Sequence, residues 1–285
     1  MSKVSELNKL AEKITGESPK ENTIREILDS ISSFYKGSKV KSSNTEKAIK
    51  NVTENYTSGG SGYPPDWSEI GYEDTPPGIL EGFEYAKEIQ ENWDSSITTM
   101  SSKYFNDKNL IIMPLVDTSN VTSMTSAFRQ AYGLLSIPLL DTSKVEDFYN
   151  TFNLTSIETI PLLDTSSVTS MRAMFQMCDN LKSIPSIDTS NVKNVTSMFQ
   201  GCSHLTTIPV LDFSSLLDYS FENCFQGCTS LSNESLNNIM RTLISATKPT
   251  TKTLRAFGIT ADQATICEGL SNYADFTAAG WTTGF

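Results

Sequence analysis

The sequence has few of the residues that usually carry catalysis or bind metals. It contains one histidine, His204, in 285 residues, and its 22 basic against 33 acidic residues give a formal net charge of -11. A single imidazole without a nucleophile motif gives no catalytic triad, and zinc needs several clustered ligands. The negative charge repels phosphate backbones, which argues against nucleic-acid binding.

Long apolar runs are also missing from the sequence. No stretch approaches the roughly 20 apolar residues that cross a bilayer. Residues 1–18 lack the apolar centre of a secretory signal peptide. We therefore predict no membrane insertion, no transmembrane segment and no signal peptide.

A motif recurs five times between Leu110 and Ser230. An aspartate follows three places after its proline, and a phenylalanine closes each copy. The prolines are separated by 24, 23, 24 and 24 residues by subtraction, and stand at Pro114, Pro138, Pro161, Pro185 and Pro209. The closing phenylalanines are Phe128, Phe152, Phe175, Phe199 and Phe225. A fixed period of about 20 to 50 residues is typical of stacked repeats, so we expect these phenylalanines to form one buried column.

The fourth copy predicts a strand, a turn and a helix. The alternating apolar residues of 181–187 favour a short strand. Asp188 and Ser190 supply oxygens that can cap the start of a helix. Val192, Val195 and Phe199 follow at intervals of 3 and 4, which places them on one helical face.

The repeat sequence resembles that of BspA-like leucine-rich repeats. The best match is residues 164–178, with the pattern Asp-Thr-Ser-x-Val-x-x-Met-x-x-Met-Phe-x-x-Cys. The resemblance and the pattern together predict an α/β fold, a leucine-rich-repeat solenoid. It has about five strand-turn-helix repeats and helical caps, after a small α-helical N-terminal module. Repeat lengths of 23 to 26 residues follow from the spacing of the closing phenylalanines.

The flanking sequence divides into four further segments. The apolar stripe formed by Ile24, Ile27, Ile31 and Phe34 favours helices that bury little surface alone and therefore bind a partner or oligomerise. We predict a helical anchoring or oligomerisation module at 1–37, a flexible Ser/Thr/Gly linker at 38–65, an N-terminal cap at 66–109, the repeats at 110–230 and a C-terminal cap at 231–285. Within the caps we predict helices over 79–89, 232–246 and 260–270, and strands over 254–259 and 278–285.

Two columns of equivalent residues invite a chemical interpretation. Cys178, Cys202 and Cys228 recur at the same repeat position, and we favour packing of small buried side chains over a metal or redox site. The aspartates that follow the prolines suggest calcium as one alternative. We favour the other, in which each carboxylate accepts amides of its own turn. We predict no catalytic residue, no cofactor and no metal.

The BspA-like resemblance covers bacterial surface adhesins and virion proteins of tailed bacteriophages. A virion protein leaves the cell by lysis, so the missing signal favours a non-enzymatic virion structural protein, a head or tail fibre or decoration, located in the phage particle. The predicted partners are other virion proteins, bound by the N-terminal helices, and a host surface protein or glycan, and we expect a homo-oligomer. Arg129, Tyr132, Tyr149 and Arg172 are the candidate contacts, because arginine and aromatic residues dominate interface energies. The alternatives are a bacterial surface adhesin or effector and, third, a glycan-processing enzyme.

Overall fold

The computed structural model describes residues 79–246, 249–250 and 252–285. The predicted helical module at 1–37, with its candidate contacts Ile24, Ile27, Ile31 and Phe34, lies outside the described residues. The predicted linker at 38–65 and the first part of the predicted N-terminal cap also lie outside them.

Four α-helices flank the repeats in the part of the chain that the structure describes. They are α1 (Ile79–Glu91), α2 (Asn233–Ser245), α3 (Ala261–Glu268) and α4 (Tyr273–Ala278). The helices predicted over 79–89, 232–246 and 260–270 are confirmed, and α3 begins with the expected capping box between Thr260 and Gln263. The two predicted terminal strands are wrong, because the described residues of these segments form no strand and the pairing there is one isolated bridge between Thr253 and Thr282.

The predicted strand-turn-helix solenoid is also wrong. Between α1 and α2 the described chain contains neither a helix nor an extended strand. Each copy instead forms a coil of consecutive turns, and successive coils are joined by isolated parallel bridges. The longest series of bridges runs through Thr99, Ser123, Asp147, Ser170 and Asn194.

The predicted helical stretch fails to form a helix because its backbone amides alternate between two kinds of partner. In residues 124–131, the amides of Ser126, Phe128 and Gln130 donate to carbonyls of the next coil at 2.7, 2.9 and 2.8 Å. The amides between them donate three residues back, within their own coil. In an α-helix every amide would donate four residues back, so the contacts between coils replace the helical pattern.

Residues in the left-handed conformation are a second reason why this stretch is not helical. Ser126 has a φ of 55° and Gln130 one of 62°, and the same pair, four residues apart, recurs along the stack. The left-handed α conformation costs a residue with a side chain about 1–2 kcal/mol. The stack must offset this cost in every coil, and in the later coils Gly201 and Gly227 stand at the second position of the pair.

A column of aromatic rings forms the centre of the stack. The predicted column of Phe128, Phe152, Phe175, Phe199 and Phe225 is confirmed, with every member at most 1% exposed. Neighbouring rings are 5.4–5.6 Å apart and within 10° of parallel. Tyr104, which lies in the predicted N-terminal cap, begins the column 5.7 Å from Phe128. Burying each phenylalanine stabilises the fold by roughly 1.5–3 kcal/mol.

The helices lie against the two ends of the stack. Gln90 of α1 donates from Nε2 to the carbonyl of Leu115 at 2.9 Å, in the first copy. Thr242 of α2 accepts the amide of Leu211 at 2.9 Å, in the fifth. These bonds satisfy backbone groups of the terminal coils. No helix of the described residues combines the length and apolar character needed to cross a membrane.

The C-terminal segment approaches the fifth coil closely at Gly258. This glycine has a φ of 87°, and a Cβ added to it would lie 2.5 Å from the backbone nitrogen of Gln226. Phe257 beside it packs on Phe221, with ring centroids 4.5 Å apart. Glycine is required because it adopts this positive φ without strain and has no Cβ to clash with Gln226.

Candidate binding surfaces

The structure brings together one pair of the predicted contact residues. The guanidinium carbon of Arg172 lies 5.4 Å from the ring centroid of Tyr149, in the preceding coil. Arg129 is instead paired with Phe105, which the sequence did not single out, at 5.6 Å. Tyr132 is 48% exposed, and no such pair among the described residues includes it. We call Phe105, Arg129, Tyr132, Tyr149 and Arg172 the arginine–aromatic face.

The repeat period explains how the two pairs form. Arg129 follows Phe105 by 24 residues and Arg172 follows Tyr149 by 23, so each arginine occupies the position of its aromatic partner one coil later. Stacking of the coils then places the guanidinium over the ring. A cation over an exposed ring gains about 0.5–1 kcal/mol, which holds the side chain in one orientation.

Neither guanidinium has a carboxylate partner within 4 Å among the described residues. Arg129 also buries its Nε atom without a hydrogen-bond acceptor in that part of the chain. A guanidinium carries five donor hydrogens and no acceptor, and an unsatisfied buried donor costs about 1–3 kcal/mol. The buried Nε of Arg129 is closed to solvent, so an anionic group would bind at the terminal guanidinium nitrogens of the two arginines.

A ladder of side-chain amides continues the column that begins with Phe105 and Arg129. Asn153 donates from Nδ2 to Oε1 of Gln176 at 3.0 Å. Gln176 donates in the same way to Gln200, and Gln200 to Gln226. These amides bond to one another along the stack and carry no charge, so the cationic end of the column is chemically distinct. The ladder was not predicted from the sequence, although glutamine recurs at 176 and 200 with the repeat period.

The cysteine column is built for packing. Each thiol is buried and donates to the backbone carbonyl of the phenylalanine in the preceding coil. The pairs are Cys178 with Phe152 at 2.9 Å, Cys202 with Phe175 at 3.0 Å and Cys228 with Phe199 at 3.1 Å. Burial raises the pKa of Cys178 to about 11 and that of Cys228 to about 12. The packing interpretation is confirmed, since these thiols stay protonated at neutral pH and are poor nucleophiles and metal ligands.

The Asp-Thr-Ser motif has two separate roles. In the third copy Asp164 accepts the amide of Ser166 at 3.0 Å, which closes a turn, while the buried hydroxyl of Thr165 donates to the carbonyl of Asp188 in the next coil at 2.7 Å. The expectation that the aspartates cap their own turns is confirmed, but the capped segment is a turn and not the start of a helix. The described residues contain no group of three side chains suited to holding a metal ion.

His204 belongs to an exposed cluster that resembles a catalytic triad only in composition. Its Nδ1 lies 3.2 Å from Oγ of Ser203 and 3.5 Å from Oδ1 of Asp179. In a triad the serine contacts Nε2 while the carboxylate contacts Nδ1. Here both partners meet the same nitrogen and the imidazole is 63% exposed, so the cluster lacks the geometry for proton relay.

The chain belongs to a protein family described as "Mycoplasma protein of unknown function, DUF285". That family matches residues 79–157 and again residues 153–253, which together make up more than half of the 285 residues. The family is related to BspA-like leucine-rich repeats, and the match brings no connection to bacteriophage proteins. Neither the curated proteins nor the solved structures include a match to this chain.

Proposed function

We propose that this chain is a non-enzymatic binding protein that recognises an acidic segment of a partner protein through its arginine–aromatic face. The observation that carries the proposal is the pair of guanidinium groups, each stacked on an aromatic ring and neither paired with a carboxylate of the described residues. The chain as a whole has a formal charge of -11. Unpaired arginines on such a chain are suited to selecting an anionic partner.

The physical basis is preorganisation. Stacking on Phe105 and Tyr149 orders the arginines before a partner arrives, so less side-chain entropy is lost on binding. The rings also supply apolar area, because Phe105 is 46% and Tyr132 48% exposed. Arginine and tyrosine are among the residues whose truncation most often weakens an interface by more than about 1 kcal/mol.

The family membership supports a bacterial setting for this activity. Its description names Mycoplasma proteins, and the BspA-like resemblance covers bacterial surface adhesins as well as virion proteins. We therefore propose a bacterial surface adhesin as the first setting for the binding face. Location in a phage particle, as a fibre or decoration attached through residues 1–37, is the second proposal. Mass spectrometry of purified particles and protease treatment of intact bacteria distinguish the two.

The binding test uses one acidic and one basic polymer as probes. The full chain is applied to immobilised poly-L-glutamate and poly-L-lysine, and binding is followed by biolayer interferometry. We expect saturable binding to poly-L-glutamate despite the negative charge of the protein, and about tenfold weaker binding for Arg172→Ala and for Arg129→Ala. Arg241→Ala is the matched control, since Arg241 is exposed and lies on α2, outside the repeats that carry Arg129 and Arg172.

Two results would contradict the proposed function. The first is equal binding by the wild type and by the double variant of Arg129 and Arg172. The second is an equal loss on substitution of Arg241, which would indicate a general charge effect. Circular dichroism of each variant verifies that the fold is retained.

A further inference from the structure

An apolar stripe runs along the stack at the residue that follows each repeat proline. The stripe consists of Leu115, Leu139, Leu162 and Val210, interrupted once by Ser186. Leu162 is 43% and Val210 39% exposed, and Leu115 and Leu139 are half-buried. Core residues stand close to this position on both sides, for example Ile160 two places before Leu162 and Leu163 one place after it, at 5% and 3% exposure. Leu162 and Val210 therefore point outward, while Leu139 also packs against the core. We call the row of positions the proline–leucine stripe.

A row of carboxylates borders the stripe. Two residues after each stripe position stands an exposed aspartate that accepts the amide of the serine two places later, and the row consists of Asp117, Asp141, Asp164, Asp188 and Asp212. None of them pairs with a basic side chain within 4 Å in the described part of the chain. Like charges repeated at the spacing of the coils repel one another, so cationic groups of a partner would relieve the repulsion.

The spacing of the coils is close to the pitch of an α-helix. Backbones joined by parallel bridges lie about 4.8 Å apart, rings of the aromatic column are 5.4–5.7 Å apart, and a helix advances about 5.4 Å per turn. A helix lying parallel to the stack would thus meet about one coil with each turn. Apolar residues spaced three and four apart would face the stripe, and basic residues beside them would face the aspartates.

We propose that the proline–leucine stripe is the docking site for a basic amphipathic α-helix of a partner protein. The stripe supplies the apolar contact, the row of aspartates supplies the charge, and the similar spacing of coils and helical turns lets one helix contact several coils. The stripe and its aspartates share no residue with the arginine–aromatic face and carry the opposite charge. The inference therefore does not depend on the proposed function.

The test compares two labelled peptides of identical composition. Each is about 18 residues long, or five helical turns, and contains leucine, lysine and alanine. One peptide carries leucines three and four residues apart with lysines beside them, and the other has the same residues scrambled. Fluorescence anisotropy measures binding to the full chain, and we expect the patterned peptide to bind at least about tenfold more tightly.

Substitutions separate the apolar contribution from the charged one. Leu162→Ser should weaken binding of the patterned peptide about tenfold, and the fold should accept it because Ser186 occupies the same position one coil later. Asp164→Asn with Asp188→Asn keeps oxygens that can accept the serine amides and should weaken binding mainly at low salt. Leu217→Ser is the control, an exposed leucine outside the stripe.

Three outcomes would overturn the inference. These are no binding of the patterned peptide, equal binding of the two peptides, and a loss with Leu217→Ser as large as that with Leu162→Ser. Arg129→Ala should leave peptide binding unchanged. A loss in that variant would assign the peptide to the arginine–aromatic face and contradict the docking site proposed for the stripe.

Discussion

The hydroxyl of Thr165 donates a hydrogen bond to the backbone carbonyl of Asp188, one coil further along the stack, at 2.7 Å. Thr118 and Thr142 make the same bond to Asp141 and Asp164 at 2.9 and 2.8 Å. The threonine is 1–2% exposed in these copies. The conspicuous aspartate of the motif is thus a local turn residue, and the threonine beside it joins the coils.

Thr165→Val tests this bond directly. Valine keeps the shape of the side chain but cannot donate, so we expect the free energy of unfolding to fall by about 1–2 kcal/mol. Urea unfolding followed by circular dichroism measures the change. Thr169→Val is the control at an exposed position, and an equal loss there would show that the buried hydroxyl has no special role.

Phe175→Ala should destabilise the stack by about 3–5 kcal/mol, because it opens a cavity between two parallel rings. Tyr219→Ala removes a ring that is 68% exposed and should cost less than about 1 kcal/mol. The difference in urea midpoint between the two variants measures the contribution of the aromatic column. A midpoint for Phe175→Ala like that of the wild type would contradict a tightly packed column.

The glycines at 258 and 269 should respond differently to alanine. Gly258→Ala should cost at least about 2 kcal/mol, since a side chain there is strained by the positive φ and meets backbone at 2.5 Å. Gly269→Ala places its Cβ no closer than 3.5 Å to its nearest neighbour and has no positive φ. We expect that variant to be neutral or slightly stabilising. Thermal unfolding of both variants provides the comparison.

The buried thiols should make stability depend on pH in the alkaline range. Burial raises the pKa of Cys178 from 9.0 to about 11, so the folded chain retains a proton that the unfolded chain loses. This contribution is complete below pH 9 and is lost as the pH rises from about 9 to about 11. Cys178→Ala should show a shallower fall of the urea midpoint than the wild type over that interval. Parallel curves for the two proteins would contradict the assignment.

Removal of divalent cations should leave the fold unchanged. Asp117, Asp164 and the equivalent carboxylates are already bonded to amides of their own turns, so no calcium is needed to order them. We expect the melting temperature to be the same with and without EDTA. A decrease of several degrees would instead indicate a structural ion.

The repeat period was sufficient to predict the aromatic column and the thiol column, and local patterns in the caps predicted three of the four helices. Phe175 and Phe199 recur with the period, and residues at equivalent repeat positions stack whatever the backbone does between them. Thr260 and Gln263 are three residues apart and cap the start of α3 through mutual hydrogen bonds, so local sequence determined where α3 begins. Each of these features depends on short-range pattern or on exact repetition.

The conformation of the repeats could not be predicted from the sequence of a single copy. Val192, Val195 and Phe199 have the spacing of a helical face, yet a series of turns places them on one side equally well. The choice is made by amides that donate to the neighbouring coil, such as Ser197 to Glu222 at 3.0 Å. The sequence feature that pointed to turns was Gly201, two residues after Phe199. Its φ of 79° is the left-handed conformation that recurs at this position in the other coils.

The binding surfaces were only partly predictable for the same reason. Arg172 and Tyr149 were selected for their residue types, and their contact follows from the repeat period. Phe105 was missed because it lies before the first recognisable copy. The stripe that begins at Leu115 was missed because apolar residues in a repeat are expected in the core.

The bonds between coils have a consequence for how the molecule can change in length. Ser126, Asn150 and Ala173 each donate their amide to the following coil, so one junction presents the same connections as the next. A gene duplication or deletion that adds or removes one complete copy would leave matching surfaces at the new boundary. The terminal helices would then cap a longer or shorter molecule without redesign. Related chains can therefore differ in length by whole coils while retaining the same hydrogen bonds between neighbouring coils.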